Sequence, residues 1–311
     1  MPQKQLGALN NDITLGVYIL ILSLQITCAI VNGMILFFFA RSKALRSNKY
    51  MRLVVYLSVG DFLLAVGELP YIIYMTINWH PTKMDYDPLY IMITAQPLPI
   101  QLKVSATITV GIALSRNIAM FCPQIYRRMD QGNFSLITLI VAILLAAFDD
   151  FLYWYLTPLE HHLNCGTIGC FVSDQFRYYW GISNMVLGFM AVFLSISIFI
   201  KVRVVQSKSS TTSEKGSNRF AKANRTSTGI LMSSLFFLTI PSVCVGVVEL
   251  TGFSIFKLIG PFYSACLLAS GVINGIIFIS GNMDSCRLRP STTINQKVST
   301  VQSNHSTTKM H

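Results

Sequence analysis

The chain has 311 residues, 52% of them hydrophobic and only 12% charged, with a mean hydropathy of +0.54. A soluble domain carries about twice that charged fraction, so the composition excludes a soluble enzyme and a disordered chain and describes a protein whose solvent is largely lipid. The formal charge of +11 is gathered in the segments between the apolar runs.

Seven such runs follow one another: Gly16–Ala40, Leu53–Ile77, Pro99–Phe121, Phe134–Leu156, Tyr178–Ile200, Thr228–Leu250 and Leu258–Ser280. Each exceeds the ~20 residues needed to cross a bilayer core. Backbone groups in that core must bond within their own segment, so each run reads as a helix. Barrel strands would be shorter and would alternate polar with apolar. The predicted fold is an all-α membrane protein, a bundle of seven transmembrane helices. Residues 1–15 form a short N-terminal segment, 16–280 the bundle, and 281–311 a Ser/Thr-rich tail open to kinases. The third run has two candidate starts: Pro99, because Pro97 and Pro99 lack backbone donors, or the apolar stretch from near Leu89.

Arg41, Lys43, Arg46, Lys49 and Arg52 crowd the first loop, Arg127 and Arg128 the third, and Lys201, Arg203, Lys208, Lys215, Arg219, Lys222 and Arg225 the fifth. By the positive-inside rule these loops are cytoplasmic, which sets the N-terminus outside and the C-terminus inside. No cleavable leader is apparent in residues 1–15, so the first run is expected to direct insertion. The sequons at Asn133, Asn224 and Asn304 fall on the inner side and are expected to stay unglycosylated. Basic residues parted by lipid-length runs do not make a nucleic-acid surface.

Polar side chains inside the runs are costly and need a reason. In chain order they include Asn32, Asp61, Ser105, Ser270 and Asn274. Asp61 lies ~14 Å from Arg52 and Ser105 ~16 Å from Arg116 at 1.5 Å per residue, so the two are expected at one depth, in a shared polar cavity. A buried carboxylate needs a partner, a proton or a cation. Nearer the outer face, Glu68, Lys103 and Asp149 sit at ~20–24 Å by the same measure. Lys103 is therefore expected to pair with Glu68, Asp149 or Asp150, as a structural ion pair or as a site for an acidic or carbonyl-bearing ligand. Pro241 should kink the sixth helix. In the second outer loop Cys165 and Cys170 are close enough for a local disulfide, the alternative being two free thiols. Neighbouring His161 and His162 lack a third spaced ligand, so no metal is expected. Cys286, among Arg287 and Arg289, is a candidate for palmitoylation, the alternative being a free thiol. Most of Tyr71, Tyr74, Trp79, Tyr153, Trp154, Tyr155, Tyr178, Tyr179 and Trp180 read as an interfacial belt.

These positions form a pattern. Asn32, Leu57-Ser58-Val59-Gly60-Asp61, Arg116 followed by Pro123, Pro241, and Asn274-Gly275-Ile276-Ile277-Phe278 resemble the rhodopsin-like G-protein-coupled receptors over about residues 16–286. Ala40-Arg41-Ser42-Lys43-Ala44-Leu45-Arg46, Val66-Gly67-Glu68-Leu69-Pro70 and Ile118-Ala119-Met120-Phe121-Cys122-Pro123-Gln124-Ile125-Tyr126-Arg127 are similar to nematode serpentine chemoreceptors, class SX (Srsx) in particular. The resemblance implies that Arg116, Pro123, Tyr126 and Arg127 face a G protein. It implies that Asn32, Asp61, Ser105, Pro241, Ser270, Asn274 and Phe278 rearrange on activation, with Na⁺ near Asp61 the one cofactor to consider. Glu68, Lys103, Asp149 and Asp150 are then candidate pocket residues.

The chain departs from the pattern in several places. Ser115 and Asn117 flank Arg116 where the family has an acid and a Tyr, and no acid stands at the inner end of the sixth run. Raised basal signalling is the expectation. Thr239 and Ile240, not a Trp, precede Pro241, and the third-helix Cys is missing. The function implied is a chemosensory receptor in the plasma membrane, with a sensory cilium as a candidate site, whose partners are a small-molecule ligand, a heterotrimeric G protein, membrane lipids, and arrestin and kinases at the tail. A neuropeptide receptor is the alternative, less favoured by short outer segments. A transporter would show broken midplane helices in a repeated half. An enzyme would show a motif such as His-Glu-x-x-His or a Gly-x-Ser-x-Gly elbow, and neither occurs.

Overall fold

A computed structural model describes residues 2–47, 51–81, 83–163, 165–208, 228–250 and 261–282. Cys286, the tail, most of the fifth loop and the sequons at Asn224 and Asn304 lie outside the described residues. All regular structure among those described is helical. Seven helices are long and apolar enough to span a bilayer: Thr14–Arg41, Arg52–Ile77, Pro88–Phe121, Gln131–Leu156, Asp174–Lys201, Thr228–Val247 and Phe262–Gly281. They are called the first to seventh spans here.

Span boundaries follow local chemistry. The third span begins at Pro88, eleven residues before the Pro99 start, because Asp87 caps it: its carboxylate accepts from the Leu89 N–H at 2.9 Å, and Pro88 fills the first helical position. The helix yields at Gln96 and restarts with Pro97 and Pro99 in its first turn. A missing N–H costs nothing there, so the two prolines interrupt the span without ending it. Asp130 starts the fourth span in the same way, accepting from Gly132 N at 3.0 Å. The second span divides at Glu68 into Arg52–Gly67 and Leu69–Ile77, with Pro70 in the first turn of the second piece. The first helix runs from Pro2 to Arg41, so the predicted N-terminal segment is itself helical.

The third span is the axis of the bundle. It packs on the second, fourth and fifth, while the first packs on the second and seventh and the fifth on the sixth. Large aliphatic and aromatic side chains point outward from the first, fourth and fifth spans, among them Ile26, Leu144 and Phe193. On a soluble protein such a surface would be an interface. Here it faces hydrocarbon, which is no less apolar than the side chains. Packing and internal hydrogen bonds, not the hydrophobic effect, therefore hold the spans together. Two of the close approaches, at Gly60 and Gly271, surround Asp61. A Cβ on Gly60 would collide with the Gln101 amide, and one on Gly271 would sit 2.9 Å from Cys28 Sγ and 3.0 Å from Asp61 Cγ.

Candidate functional site

Four groups of side chains carry the chemistry. The first surrounds Asp61, which is 2% exposed. Its Oδ1 accepts from Gln101 Nε2 at 2.9 Å, across Gly60, and Oδ2 has no donor. Asn32 donates to the Cys28 carbonyl at 3.0 Å and the Gly271 carbonyl at 3.3 Å, which ties the first span to the seventh. Asn274 donates to Ser270 Oγ at 3.4 Å. Three buried oxygens lack a donor: Asp61 Oδ2, Asn32 Oδ1 and Asn274 Oδ1. Ser105 is buried as expected, but the residue that reaches Asp61 is Gln101, one helical turn away. Phe278 is buried against the Ile35, Leu57 and Ile112 side of the core.

The second group lies at the far end of the bundle from the basic loops. Lys103 Nζ stands 3.1 Å from Asp149 Oδ2, with the two side chains 1% and 2% exposed. Lys103 also donates to Ser183 Oγ at 2.6 Å, and the Tyr179 hydroxyl donates to Asp149 Oδ1 at 2.9 Å. Of the three acids considered for Lys103, Asp149 is its partner. The other two are engaged elsewhere: Glu68 accepts from Ser264 Oγ at 2.5 Å and Asp150 accepts from Gln96 Nε2 at 2.6 Å. Lys103 and Asp149 thus neutralise each other inside the bundle.

Beside it is a cavity of about 40 Å³ walled by Leu98, Pro99, Tyr153, Ile168, Phe176 and Trp180. The loop over it carries the Cys165–Cys170 disulfide, whose Cα atoms are 6.3 Å apart. Two buried tyrosines fasten that loop. Tyr18 donates to the Gly166 carbonyl at 2.8 Å, and Tyr71 accepts from the Ile168 N–H at 3.0 Å. Arg177 pairs with Asp174 and donates to the Gly169 and Val172 carbonyls at 2.6 and 3.1 Å. Tyr71, Tyr153 and Trp180 were expected in an interfacial belt. They are buried instead, because each ring edges the pocket or its loop. Tyr86, between the second and third spans, is also buried and donates to the Met75 carbonyl at 3.1 Å. Burial, ahead of its other neighbours, pushes its phenol up to about 12. His161 Nε2 lies 2.9 Å from Asp85 at the surface.

The third group is the bend of the sixth span. Leu235–Thr239 form a π-helical turn immediately before Ile240 and Pro241. Proline cannot donate to the carbonyl one turn back, and a wider turn accommodates the loss. Ser242 Oγ donates to the Leu238 carbonyl at 2.7 Å and accepts from the Tyr263 hydroxyl at 2.8 Å. The Tyr263 ring in turn lies 5.4 Å from Trp180 of the cavity wall. A run of contacts thus joins the cavity to the bend.

The fourth group is at the basic end. Arg116 is buried at the foot of the third span. Asn117 donates to Leu194 O of the fifth span at 2.9 Å, and Ser115 donates to Gln131 Oε1 of the fourth at 3.4 Å. The short helix Pro123–Arg128 presents Pro123 and Arg127 to solvent, with Tyr126 half-buried. Sequence reasoning missed Gln101, Tyr18 and Ser242. Gln101 carried a signal, an amide within an apolar run.

Residues 11–281 match the sequence model of the family described as serpentine type 7TM GPCR chemoreceptor Srbc. The chain belongs to that family, and it is a multi-pass membrane protein and a chemoreceptor of the G-protein-coupled type. The matching class is Srbc, where the sequence motifs resembled class SX. A search of curated proteins finds no match.

Proposed function

We propose that this Srbc chemoreceptor detects an uncharged, largely apolar small molecule at the outer end of the bundle and transmits its presence to a cytoplasmic G protein through the bend at Pro241. The observation that carries this reading is the run of contacts from the cavity wall, Trp180 to Tyr263 to Ser242 to the Leu238 carbonyl of the π turn. A ligand changes the bundle only by its differential affinity for two arrangements. One that moves Trp180 acts on the same hydrogen bonds that settle the bend. The cavity's apolar walls, with the nearby charges already paired, favour a neutral ligand.

In this reading the basic loops are cytoplasmic and the N-terminus is outside, in the plasma membrane. Arg116, Pro123, Tyr126 and Arg127 meet the G protein. Arrestin, kinases and a Cys286 palmitate belong to the tail, and acyl chains to the outward faces. Asp61, Asn32 and Asn274 supply three donor-free oxygens suited to Na⁺, a hard cation that takes oxygen ligands, and the active arrangement would expel it.

The test is a panel of neutral volatile compounds, carboxylates and amines, applied to cells carrying a promiscuous G protein. The panel is read on the wild type, on Arg116→Ala and on Tyr263→Phe. Neutral agonists that act on the wild type, fail on Arg116→Ala and act with reduced efficacy but unchanged surface expression on Tyr263→Phe are expected. Activation by carboxylates alone, or an N-terminal tag reached only after permeabilisation, would overturn the reading.

A further inference from the structure

Where the third, fifth and sixth spans meet lies a much smaller, partly closed cavity of about 10 Å³. Ala106 and Thr109 wall it from the third span, Asn184 and Gly188 from the fifth, and Thr239 and Ser242 from the sixth. Part of its polar lining is unsatisfied. Asn184 is 2% exposed, yet neither its Oδ1 nor its Nδ2 has a partner, and Thr109 Oγ1 has none either. Leaving a buried amide wholly unpaired is among the costlier errors a packed interior can make. Three orphaned polar atoms around one void are therefore a pattern with a cause.

We infer that this cavity is a binding site for one water molecule, held by Asn184 and Thr109 against the π turn of the sixth span. Size selects the occupant: about one probe sphere of free space admits a water and excludes the head of a larger ligand. Chemistry agrees, since buried waters make about three hydrogen bonds to otherwise unsatisfied groups. Asn184 offers one donor and one acceptor and Thr109 a hydroxyl, which together use a water's own donors and lone pairs.

The position gives the water a role. Thr239 closes the π turn and lines the cavity, and a Cβ on Gly188 would stand only 3.3 Å from Thr239 Cγ2. The fifth span thus lies directly on that turn. Tightening the π turn to regular helix moves Thr239 relative to Gly188 and changes the volume left for the water. The water then links the register of the sixth span to the third and fifth spans. This inference stands on the cavity and does not depend on the identity of the ligand.

The purified full-length receptor in nanodiscs tests it by thermal unfolding of Asn184→Leu, Thr109→Val and the double variant. With water bound, each single change strands the partners of a bridge, and Tm should fall by about 2–4 °C, the usual effect of losing one such interaction in a chain of this size. The double variant should fall by less than the sum, because both residues hold the same molecule. If the cavity is dry, Asn184→Leu removes an unpaired amide and Tm rises. A rise, no change, or strictly additive losses would overturn the proposal. Should Asn184→Leu fail to fold, the milder Thr109→Val still decides by its sign. A ligand-free density map at a resolution that shows ordered solvent gives the direct reading: a peak between Asn184 and Thr109 supports the site, and an empty void refutes it.

Discussion

The buried pair of Lys103 and Asp149 makes the most exposed prediction. At 3.1 Å, two unit charges attract by about 5 kcal/mol at an effective dielectric of 20. Desolvation of both charges consumes much of that, so the net worth of the intact pair is small. Removing one partner is another matter. Lys103→Met leaves the Asp149 carboxylate inside the bundle with only the Tyr179 hydroxyl, and breaking a buried pair in this way costs about 3–5 kcal/mol. For purified receptor in detergent this corresponds to a fall in Tm on the order of 10 °C, with less protein at the cell surface. Asp149→Leu should cost about as much, because it strands the ammonium. The double variant Lys103→Met/Asp149→Leu strands neither and should recover most of the loss. Unchanged agonist potency in whatever Lys103→Met receptor reaches the surface would accompany a structural role. Potency lost at full expression and unchanged Tm would instead mean that Lys103 meets the ligand, and the reasoning from the closed ion pair would be wrong.

Three further outcomes follow from particular contacts. Gly60→Ala places a methyl group where the Gln101 amide now reaches Asp61; a loss of about 1–3 kcal/mol is expected from overpacking, and Gly60→Ala/Gln101→Ala should relieve it in a thermal-shift assay. Cys165→Ser/Cys170→Ser opens a short covalent loop worth about 2 kcal/mol by chain entropy; agonist potency should drop severalfold in concentration–response curves while surface expression persists, and an unchanged curve would detach the loop from the pocket. Tyr86 has a raised folded pKa of about 12 against about 10 unfolded. The folded state therefore binds the extra proton between those values, so Tyr86's contribution is complete below pH 10 and is lost as pH climbs to 12. Unfolding curves of wild type and Tyr86→Phe should converge across that window, and parallel curves would argue against it.

The bundle was largely legible in the sequence because lipid imposes one rule on every backbone group, and seven runs obey it. Limits set by side-chain capping were harder to see. Of the two starts offered for the third helix, the one near Leu89 holds and the one at Pro99 does not: Asp87 and Pro88 are a sound helix opening, and prolines in a restarted first turn do not end a span. Depth along a helix was readable to about a turn, which put Lys103 level with Glu68, Asp149 and Asp150. Rotation about the helix axis was not readable, and rotation decides which acid Lys103 meets. The same blindness hid Gln101 behind Ser105. Tyr71 looked like an interfacial aromatic and Tyr18 went unnoticed because burial depends on how the loop over the cavity returns, and no local pattern encodes that path.

That loop carries a broader consequence. Among the described residues its covalent tie, Cys165 to Cys170, closes on itself, and its attachments to the helices are hydrogen bonds: Tyr18 donates to Gly166 O, Tyr71 accepts from Ile168 N–H, and Arg177 donates to Gly169 O and Val172 O. Such bonds each contribute about a kilocalorie per mole and re-form rapidly after thermal rupture. The flap is thus a latch and not a weld: a few exchangeable hydrogen bonds hold it to the bundle, and reductants in the surroundings would slacken it without releasing it.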